Sequence, residues 1–162
     1  MKLGIMSDSH DNLDKVRKTL ARFAAAGVGH ILHAGDLCSP FVFLDFNKYK
    51  IPFTAVFGNN DGEWIFLIKL ARELGEIRKG PIGRELFGKR IALMHEPAFL
   101  DALADSGHLD LIVYGHTHEV ENRKRGQALI LNPGENCGYL KDRSTAMILD
   151  LERMEVEVLT VE

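Results

Sequence analysis

The sequence predicts an α/β fold built on a mainly parallel sheet, and three observations lead to that prediction. In the first half of the chain, short apolar runs alternate with amphipathic helical patterns. Each apolar run stops at glycine or at polar turn-forming residues, as expected where a buried strand ends in a loop. After residue 80 the pattern changes to shorter alternating runs, which indicate strands paired with their neighbours in sequence. Three strand-helix repeats favour parallel strands with helices packed on the sheet.

The first half of the chain contains three predicted strands, over residues 2–7, 30–33 and 52–57. A helix should follow each of them. Asp11 or Asn12 caps the first helix and Gly27 ends it, while Ser39 caps the second helix with Pro40 in its first turn. The third helix is predicted over residues 63–74, where apolar residues recur at helical spacing before Gly75.

The second half is predicted to contain mostly strands. Residues 84–94 form a strand pair with a tight turn at Gly88-Lys89, and a short helix over residues 99–104 leads to a buried strand at 111–113. Four further strands are predicted at residues 120–125, 128–131, 145–151 and 155–161. Because short turns separate them, we expect this tail to be antiparallel.

The composition is that of an ordinary globular protein. The 162 residues are 46% hydrophobic and 27% charged, with no internal repeat or linker, so we expect one domain over residues 1–162. A net charge of −3 provides no basic surface for nucleic acid. No stretch approaches the ~20 apolar residues of a membrane span or resembles a signal peptide. Cys38 and Cys137 suit free thiols in a reducing compartment, and we expect a cytoplasmic protein with no membrane partner.

Polar side chains of metal-ligand type follow five of the predicted strands. Taken singly, each has an ordinary explanation as a helix cap, a turn former or a core histidine. Because loops at the carboxyl ends of parallel strands lie side by side, the seven side chains should converge on one site. They are Asp8, His10, Asp36, Asn59, His95, His116 and His118.

The chemistry of this set favours two divalent ions. Three carboxylate or amide oxygens and four imidazoles suit Mn²⁺, Fe²⁺, Co²⁺, Ni²⁺ or Zn²⁺ better than Mg²⁺ or Ca²⁺. Seven ligands are too many for one ion, and two ions about 3.5–4 Å apart need a ligand that bridges them. The carboxylate of Asp36 has two oxygens for that task.

The five blocks resemble, in order, the motifs of the calcineurin-like metallophosphoesterase superfamily: Asp8-x-His10, Gly35-Asp36, Gly58-Asn59, His95 and Gly115-His116-Thr117-His118. Length and the Asn132-Pro133-Gly134 turn make the chain similar to its small single-domain bacterial and archaeal phosphodiesterases, a branch that also resembles the retromer subunit of eukaryotes. The resemblance implies a four-layer α/β/β/α sandwich of two mixed sheets flanked by helices. It also implies that one ion is held by Asp8, His10, Asp36 and His118, and the other by Asp36, Asn59, His95 and His116.

Two positions depart from the family pattern. Many members have a histidine after the Gly-Asn pair, where it acts on the leaving group, but this chain has Asn60, whose amide cannot donate a catalytic proton. The small phosphodiesterase branch also lacks that histidine. Glu96 stands where most members have glycine, and its side chain should narrow the crevice or place negative charge near an anionic substrate.

The leading hypothesis is metal-dependent hydrolysis of phosphoesters, chiefly small phosphodiesters, by a hydroxide that bridges two divalent ions, with Mn²⁺ as the first candidate. No side chain is assigned as a catalytic acid or base. The alternative is a metal-binding interaction or scaffold module without activity. A nuclease would share the metal centre, but the chain lacks the basic groove expected for polynucleotides. The sequence is compatible with either a monomer or a homo-oligomer.

Two further residues have competing interpretations. His33 precedes Ala34-Gly35-Asp36, but within a strand it is expected to pack or hydrogen-bond in the core. Trp64 lies next to the metal loop and could stack on a substrate base, although packing is the commoner role of an aromatic residue in a helix.

Overall fold

The computed structural model describes residues 1–162 and contains four helices and eleven strands. The helices are α1 (Leu13–Ala25), α2 (Phe41–Tyr49), α3 (Trp64–Ala71) and α4 (Leu100–Asp105). The strands are β1 (Lys2–Met6), β2 (Val28–His33), β3 (Phe53–Phe57), β4 (Gly75–Lys79), β5 (Ile82–Leu86), β6 (Lys89–Leu93), β7 (Leu111–Val113), β8 (Val120–Arg125), β9 (Ala128–Pro133), β10 (Ser144–Asp150) and β11 (Glu155–Val161).

The strands form two mixed sheets. The first has the order β11-β10-β1-β2-β3-β4, in which β1 to β4 are parallel and β10 is antiparallel to both of its neighbours. The second has the order β5-β6-β7-β9-β8, in which β6, β7 and β9 are parallel and each edge strand is antiparallel. The carboxyl ends of five parallel strands, three in one sheet and two in the other, lead into the loops of the candidate site.

Three apolar interfaces hold the layers together because side chains alternate across each strand. In β1, Ile5 joins the core between the two sheets, while the next residue, Met6, joins the core shared with α1, α2 and α3. In β7, Leu111 and Val113 face the first sheet, and Ile112 packs in the cluster that includes α4. The layers are therefore helices, sheet, sheet and helix, which confirms the predicted α/β/β/α sandwich of two mixed sheets.

The sequence missed strand β4. Gly75 does not end the third helix, which stops at Ala71, but begins a strand that pairs in parallel with β3. Only Ile77 in β4 is fully buried, so the strand has little apolar signal. A Cβ atom at Gly75 would lie 2.1 Å from the backbone oxygen of Phe53, so glycine permits this close pairing.

Two local predictions are corrected. Ser39 does not cap α2, because its Oγ donates instead to Oδ1 of Asp11 at 2.6 Å, and Pro40 occupies the N-cap position. The turn between β5 and β6 lies at Phe87-Gly88, one residue before the predicted pair, and both residues have positive φ. Asn12 does cap α1, since its Oδ1 accepts a hydrogen bond from the backbone N–H of Lys15.

The tail is antiparallel except where β9 meets β7. β8 pairs with β9 and β10 pairs with β11 in antiparallel fashion, as predicted, but β9 also runs parallel to β7. The two hairpins belong to different sheets. This division depends on contacts between residues far apart in sequence, which periodicity alone does not encode. No helix is long and apolar enough to cross a membrane.

Candidate metal centre

The seven predicted ligand residues converge where the two sheets meet. Asp8 and His10 follow β1, and Asp36 and Asn59 follow β2 and β3 in the first sheet. His95 follows β6 of the second sheet, while His116 and His118 follow β7. The structure thus brings together residues that are up to 110 positions apart in sequence, counted from Asp8 to His118.

Four of these side chains form a first ligand group. Oδ1 of Asp8 lies 3.3 Å from Nε2 of His118 and 3.9 Å from Nε2 of His10. Nε2 of His10 in turn lies 3.5 Å from Oδ2 of Asp36, and the His10 and His118 rings stack with centroids 5.5 Å apart. One carboxylate oxygen from each aspartate and one nitrogen from each histidine therefore face a common point.

The second ligand group shares Asp36 with the first. Oδ2 of Asp36 lies 3.5 Å from Nε2 of His95. That nitrogen is 2.9 Å from Oδ1 of Asn59, and the same amide oxygen is 2.9 Å from Nδ1 of His116. Oδ2 of Asp36 thus lies within 3.5 Å of a histidine from each group, which is the position required of a bridging ligand.

Buried atoms without hydrogen-bond partners show that this donor set fits a cation. Oδ1 of Asp8 and Nε2 of His10 are both buried and accept or donate no hydrogen bond. A buried carboxylate oxygen without a partner is costly, and buried charges normally pair or coordinate metal. The two orphan atoms belong to the same ligand group, so a single ion would satisfy both.

Glycines allow the ligand loops to approach one another. A Cβ at Gly58 would lie 2.1 Å from Oδ1 of Asp36, and a Cβ at Gly115 would lie 2.0 Å from Oγ of Ser7. Any side chain at either position would push one ligand loop away from the next. The glycine that precedes Asn59 or His116 is therefore a packing requirement of the site.

The backbone of the ligand loops is held in an unusual conformation. Five of the seven ligand residues have positive φ: Asp8, His10, Asp36, His116 and His118, with φ between 39° and 66°. A left-handed conformation costs a non-glycine residue energy, and such residues gather at functional sites. Their concentration in one place indicates that ligand direction takes priority over local backbone preference.

The electrostatics of the centre are dominated by buried acids. Burial raises the pKa of Asp8 above its usual range, against the opposing effects of the adjacent Ser7 and the nearby histidines. For Asp36, burial is outweighed by the nearby His95 and by hydrogen bonds from Asn60, which hold its pKa well below the usual range. Asp36 therefore stays ionised, while the pKa of His95 is raised because the interactions with Asp36 exceed its own desolvation.

Glu135 is a site residue that sequence reasoning missed. Its Oε2 lies 2.5 Å from Nδ1 of His118, and its Oε1 accepts hydrogen bonds from the backbone N–H groups of Leu140 and Lys141. The carboxylate therefore orients the His118 ring so that Nε2 points to Asp8, as carboxylates do for metal-binding histidines. The sequence signal that could have identified Glu135 is its position directly after the Asn132-Pro133-Gly134 turn.

Asp61 is a second site residue that sequence reasoning missed. Its carboxylate accepts hydrogen bonds from the backbone N–H groups of Asp36, Cys38 and Gly58. These residues belong to two ligand loops, so Asp61 ties the loops of β2 and β3 together. It positions Asp36 and the Asn59 loop without facing the ligand groups.

Three other residues complete the surroundings. Asn60 donates from its backbone N–H to Oδ1 of Asp36 and from its side-chain amide to Oδ2 of the same carboxylate, both at 2.8 Å. Sγ of Cys38 lies 3.4 Å from Nδ1 of His10. His33 is fully buried and hydrogen-bonded to Ser9 at 2.7 Å, so the core interpretation of this histidine is confirmed.

Comparisons with known proteins agree with this architecture. Residues 1–154 match the family model of the calcineurin-like phosphoesterase superfamily domain. Phosphodiesterase MJ0936 of Methanocaldococcus jannaschii is 36% identical over 166 aligned positions, which cover all of both chains.

Solved structures show the same fold. An archaeal phosphodiesterase superposes with a TM-score of 0.94 at 35% identity, covering 99% of this chain and all of the other. Vps29 of Entamoeba histolytica, in a structure with Zn²⁺, superposes with a TM-score of 0.70 at 20% identity, covering 99% of this chain and 98% of that one. The second likeness is one of fold alone. On its sequence match and its architecture, the chain belongs to the calcineurin-like phosphoesterase superfamily.

Proposed function

We propose that this protein hydrolyses small phosphodiesters in a reaction that depends on two divalent metal ions. The observation that carries the proposal is the shared position of Asp36 Oδ2, 3.5 Å from His10 of the first ligand group and 3.5 Å from His95 of the second. Two ions joined by one carboxylate are typical of hydrolytic phosphate chemistry. The phosphodiesterase activity named for the 36% identical relative supports the same reaction class.

The two groups divide the ligands between the ions. The first ion is assigned to Asp8, His10, Asp36 and His118, and the second to Asp36, Asn59, His95 and His116. Mixed imidazole and oxygen donors favour Mn²⁺, with Ni²⁺, Fe²⁺, Co²⁺ or Zn²⁺ as alternatives. Bound ions would supply an activated water as the nucleophile and would compensate the negative charge of the phosphoryl oxygens.

The side chains around the centre orient the proposed ligand residues. None of those named here is an acid that could protonate the leaving oxygen. Glu135 holds the ring of His118, and Asn60 holds the carboxylate of Asp36. Asp61 joins the loop that contains Asp36 to the loop that contains Asn59. An amide has no proton to release at neutral pH. Diesters with acidic leaving groups, such as aryl diesters, should therefore react faster than alkyl esters.

A metal-binding scaffold without activity is the second candidate, because the Vps29 fold is shared. The orphan atoms of Asp8 and His10 are compatible with either function, since both would hold metal. Only turnover separates the two. A polynucleotide substrate is not proposed, because the net charge is −3 and the arginines of β8 are paired with acidic side chains.

The test combines metal content with turnover. Protein purified without chelator is assayed for bound metal and for hydrolysis of bis(p-nitrophenyl) phosphate with added Mn²⁺. We expect about two ions per chain, Mn²⁺-dependent turnover, and a fall of about 100-fold or more for Asp36→Asn. Asp105→Asn is the matched control, because Asp105 is exposed and paired with Arg125.

The outcomes decide between the two candidates. A metal-loaded parent without activity on the aryl diester would refute the enzyme and leave the scaffold function. Equal activity in the parent and Asp36→Asn would refute the shared ligand. A parent that binds no divalent ion would refute both functions.

A further inference from the structure

A pocket of about 290 Å³ lies beside the second ligand group. Asn59 and His95 line it together with Phe57, Trp64 and Met94, which contribute apolar surface. Small-molecule sites commonly enclose about 300–1,000 Å³, so this pocket has room for one compact group. Asn59 and His95 are proposed metal ligands, so a group in this pocket would lie beside the place where the phosphate is proposed to bind.

Trp64 gives the pocket a fixed aromatic surface. Its ring stacks on Phe57 with centroids 4.4 Å apart and planes 13° from parallel, and its Nε1–H donates to the backbone oxygen of Asp61 at 2.8 Å. Packing therefore fixes the ring, yet Trp64 is 42% exposed while Phe57 is 8% exposed. Trp64 is therefore packed, as expected for an aromatic residue in a helix, but part of its ring stays exposed and is available for stacking on a substrate base.

Two opposite charges stand at the same pocket. Lys79 and Glu96 both line it and are exposed, and neither side chain makes an ion pair or a hydrogen bond. Free polar groups around an apolar surface are what fix the orientation of a bound ligand. A ring that carries hydrogen-bonding substituents would find one cationic donor and one anionic acceptor there.

We propose that this pocket, the aromatic pocket, binds an aryl or nucleobase group of the diester against Trp64 while the phosphate occupies the ligand groups. The proposal rests on the proposed function and names its substrate class, an aromatic phosphodiester. Stacking on an aromatic side chain is favourable for every nucleobase, because each base has a π-face. Trp64 is accordingly a specificity residue and not a catalytic one.

The experiment uses two phosphonates that differ only in the group the pocket would receive. Phenylphosphonate and methylphosphonate are titrated into Zn²⁺-loaded protein, with dissociation constants measured by calorimetry. The chain has one tryptophan, so intrinsic fluorescence reports Trp64 directly. We expect phenylphosphonate to change the fluorescence and to bind about five- to hundredfold more tightly than methylphosphonate.

Variants assign the preference to the ring. Trp64→Ala and Trp64→Leu should reduce the phenyl preference to near unity, and Trp64→Phe should keep most of it. Phe66→Ala is the matched control, because Phe66 is a 54% exposed aromatic residue of the same helix that does not line the pocket. Trp64→Leu retains apolar bulk, so a folded variant is expected even if Trp64→Ala unfolds.

The binding measurements test the aromatic pocket, and turnover tests the proposed function, so each can be refuted without the other. Equal affinity for the two phosphonates in the parent, or a phenyl preference that survives in Trp64→Leu, overturns the aromatic pocket. Hydrolysis of methyl p-nitrophenyl phosphate, measured with Mn²⁺, tests the proposed function by itself. A phenyl preference without any hydrolysis would refute the enzyme and still support an aromatic phosphate ligand at this pocket.

Discussion

The side-chain amide of Asn60 donates a hydrogen bond to Oδ2 of Asp36 at 2.8 Å. The same oxygen lies between His10 and His95 and is the atom proposed to be shared by two ions. Asn60 therefore contacts the centre at the position where many family members have a histidine. It polarises the shared carboxylate but offers no acid for the leaving group.

Replacing Asn60 by histidine should give the site a proton donor. We expect Asn60→His to accelerate the hydrolysis of alkyl diesters more than that of aryl diesters, because only poor leaving groups need protonation. The gain in rate should reach about 100-fold, the lower limit typical of general acid catalysis. The measurement is kcat/KM across a series of diesters with graded leaving-group pKa. A parallel increase for every substrate, or none, would contradict the assigned role of Asn60.

Glu135→Gln should weaken metal binding without unfolding the protein. The amide keeps the shape of the side chain but loses the negative charge that faces Nδ1 of His118. Loss of such an outer partner typically costs about 10–100-fold in metal affinity or activity. Competition with a chromogenic chelator measures the affinity, and Glu119→Gln is the control because Glu119 is an exposed acid paired with Lys141. Equal affinities in the two variants would show that Glu135 has no part in holding His118.

Glu96→Gln should lower KM for anionic diesters. Glu96 is exposed, unpaired and lines the aromatic pocket beside His95, so its charge repels a phosphate that approaches the second ligand group. Removal of the charge should decrease KM by about two- to fivefold at low salt, and the effect should shrink as salt screens the interaction. Steady-state kinetics at two ionic strengths make the measurement. A change in kcat alone would assign Glu96 another role.

Divalent metal should stabilise the fold. Binding to the native state alone adds about 2.7 kcal/mol when free metal is 100 times its dissociation constant. For a chain of this length, that free energy corresponds to an increase in Tm of about 5–10 °C. Calorimetry with Mn²⁺ and after chelation gives the difference, and Asp36→Asn should show little of it. An equal increase in Asp36→Asn would place the stabilising ion elsewhere.

His33 should make stability fall as the pH is lowered. The backbone N–H of Gly35 donates to Nδ1 of His33, so the neutral ring carries its proton on Nε2, next to Oγ of Ser9. Burial lowers the pKa of His33 from 6.5 to about 3. The unfolded chain therefore binds a proton between these values and the folded chain does not, so stability is complete above pH 6.5 and decreases below it.

The size of this effect follows from the same pKa values. Between pH 7 and pH 5, His33 should remove about 2 kcal/mol from the free energy of unfolding. Urea unfolding of the parent and of His33→Gln at the two pH values isolates the contribution, because glutamine does not titrate. The variant should be less stable at pH 7 but lose less on acidification. Identical losses would show that His33 titrates normally in the folded protein.

Much of the fold was predictable because its signals are local. The buried strands before Asp8, Asp36 and Asn59 are marked by apolar runs that stop at polar loops, and the structure contains all three. Strand β4 was not predictable in this way, because only Ile77 is buried and its pairing depends on contact with β3. The parallel pairing of β9 with β7 likewise joins two strands that are separated in sequence by β8.

The identity and order of the seven ligand-type residues are evident from the sequence, because each follows a strand whose end is encoded locally. Three features are visible only in the folded chain: the division of these residues into two groups around Oδ2 of Asp36, the orientation of His118 by Glu135, and the position of Trp64 beside the second group. The physical reason is that the local sequence determines which residues occupy the loop after each strand. The distance from such a residue to a side chain from another sheet is set by how the two sheets pack.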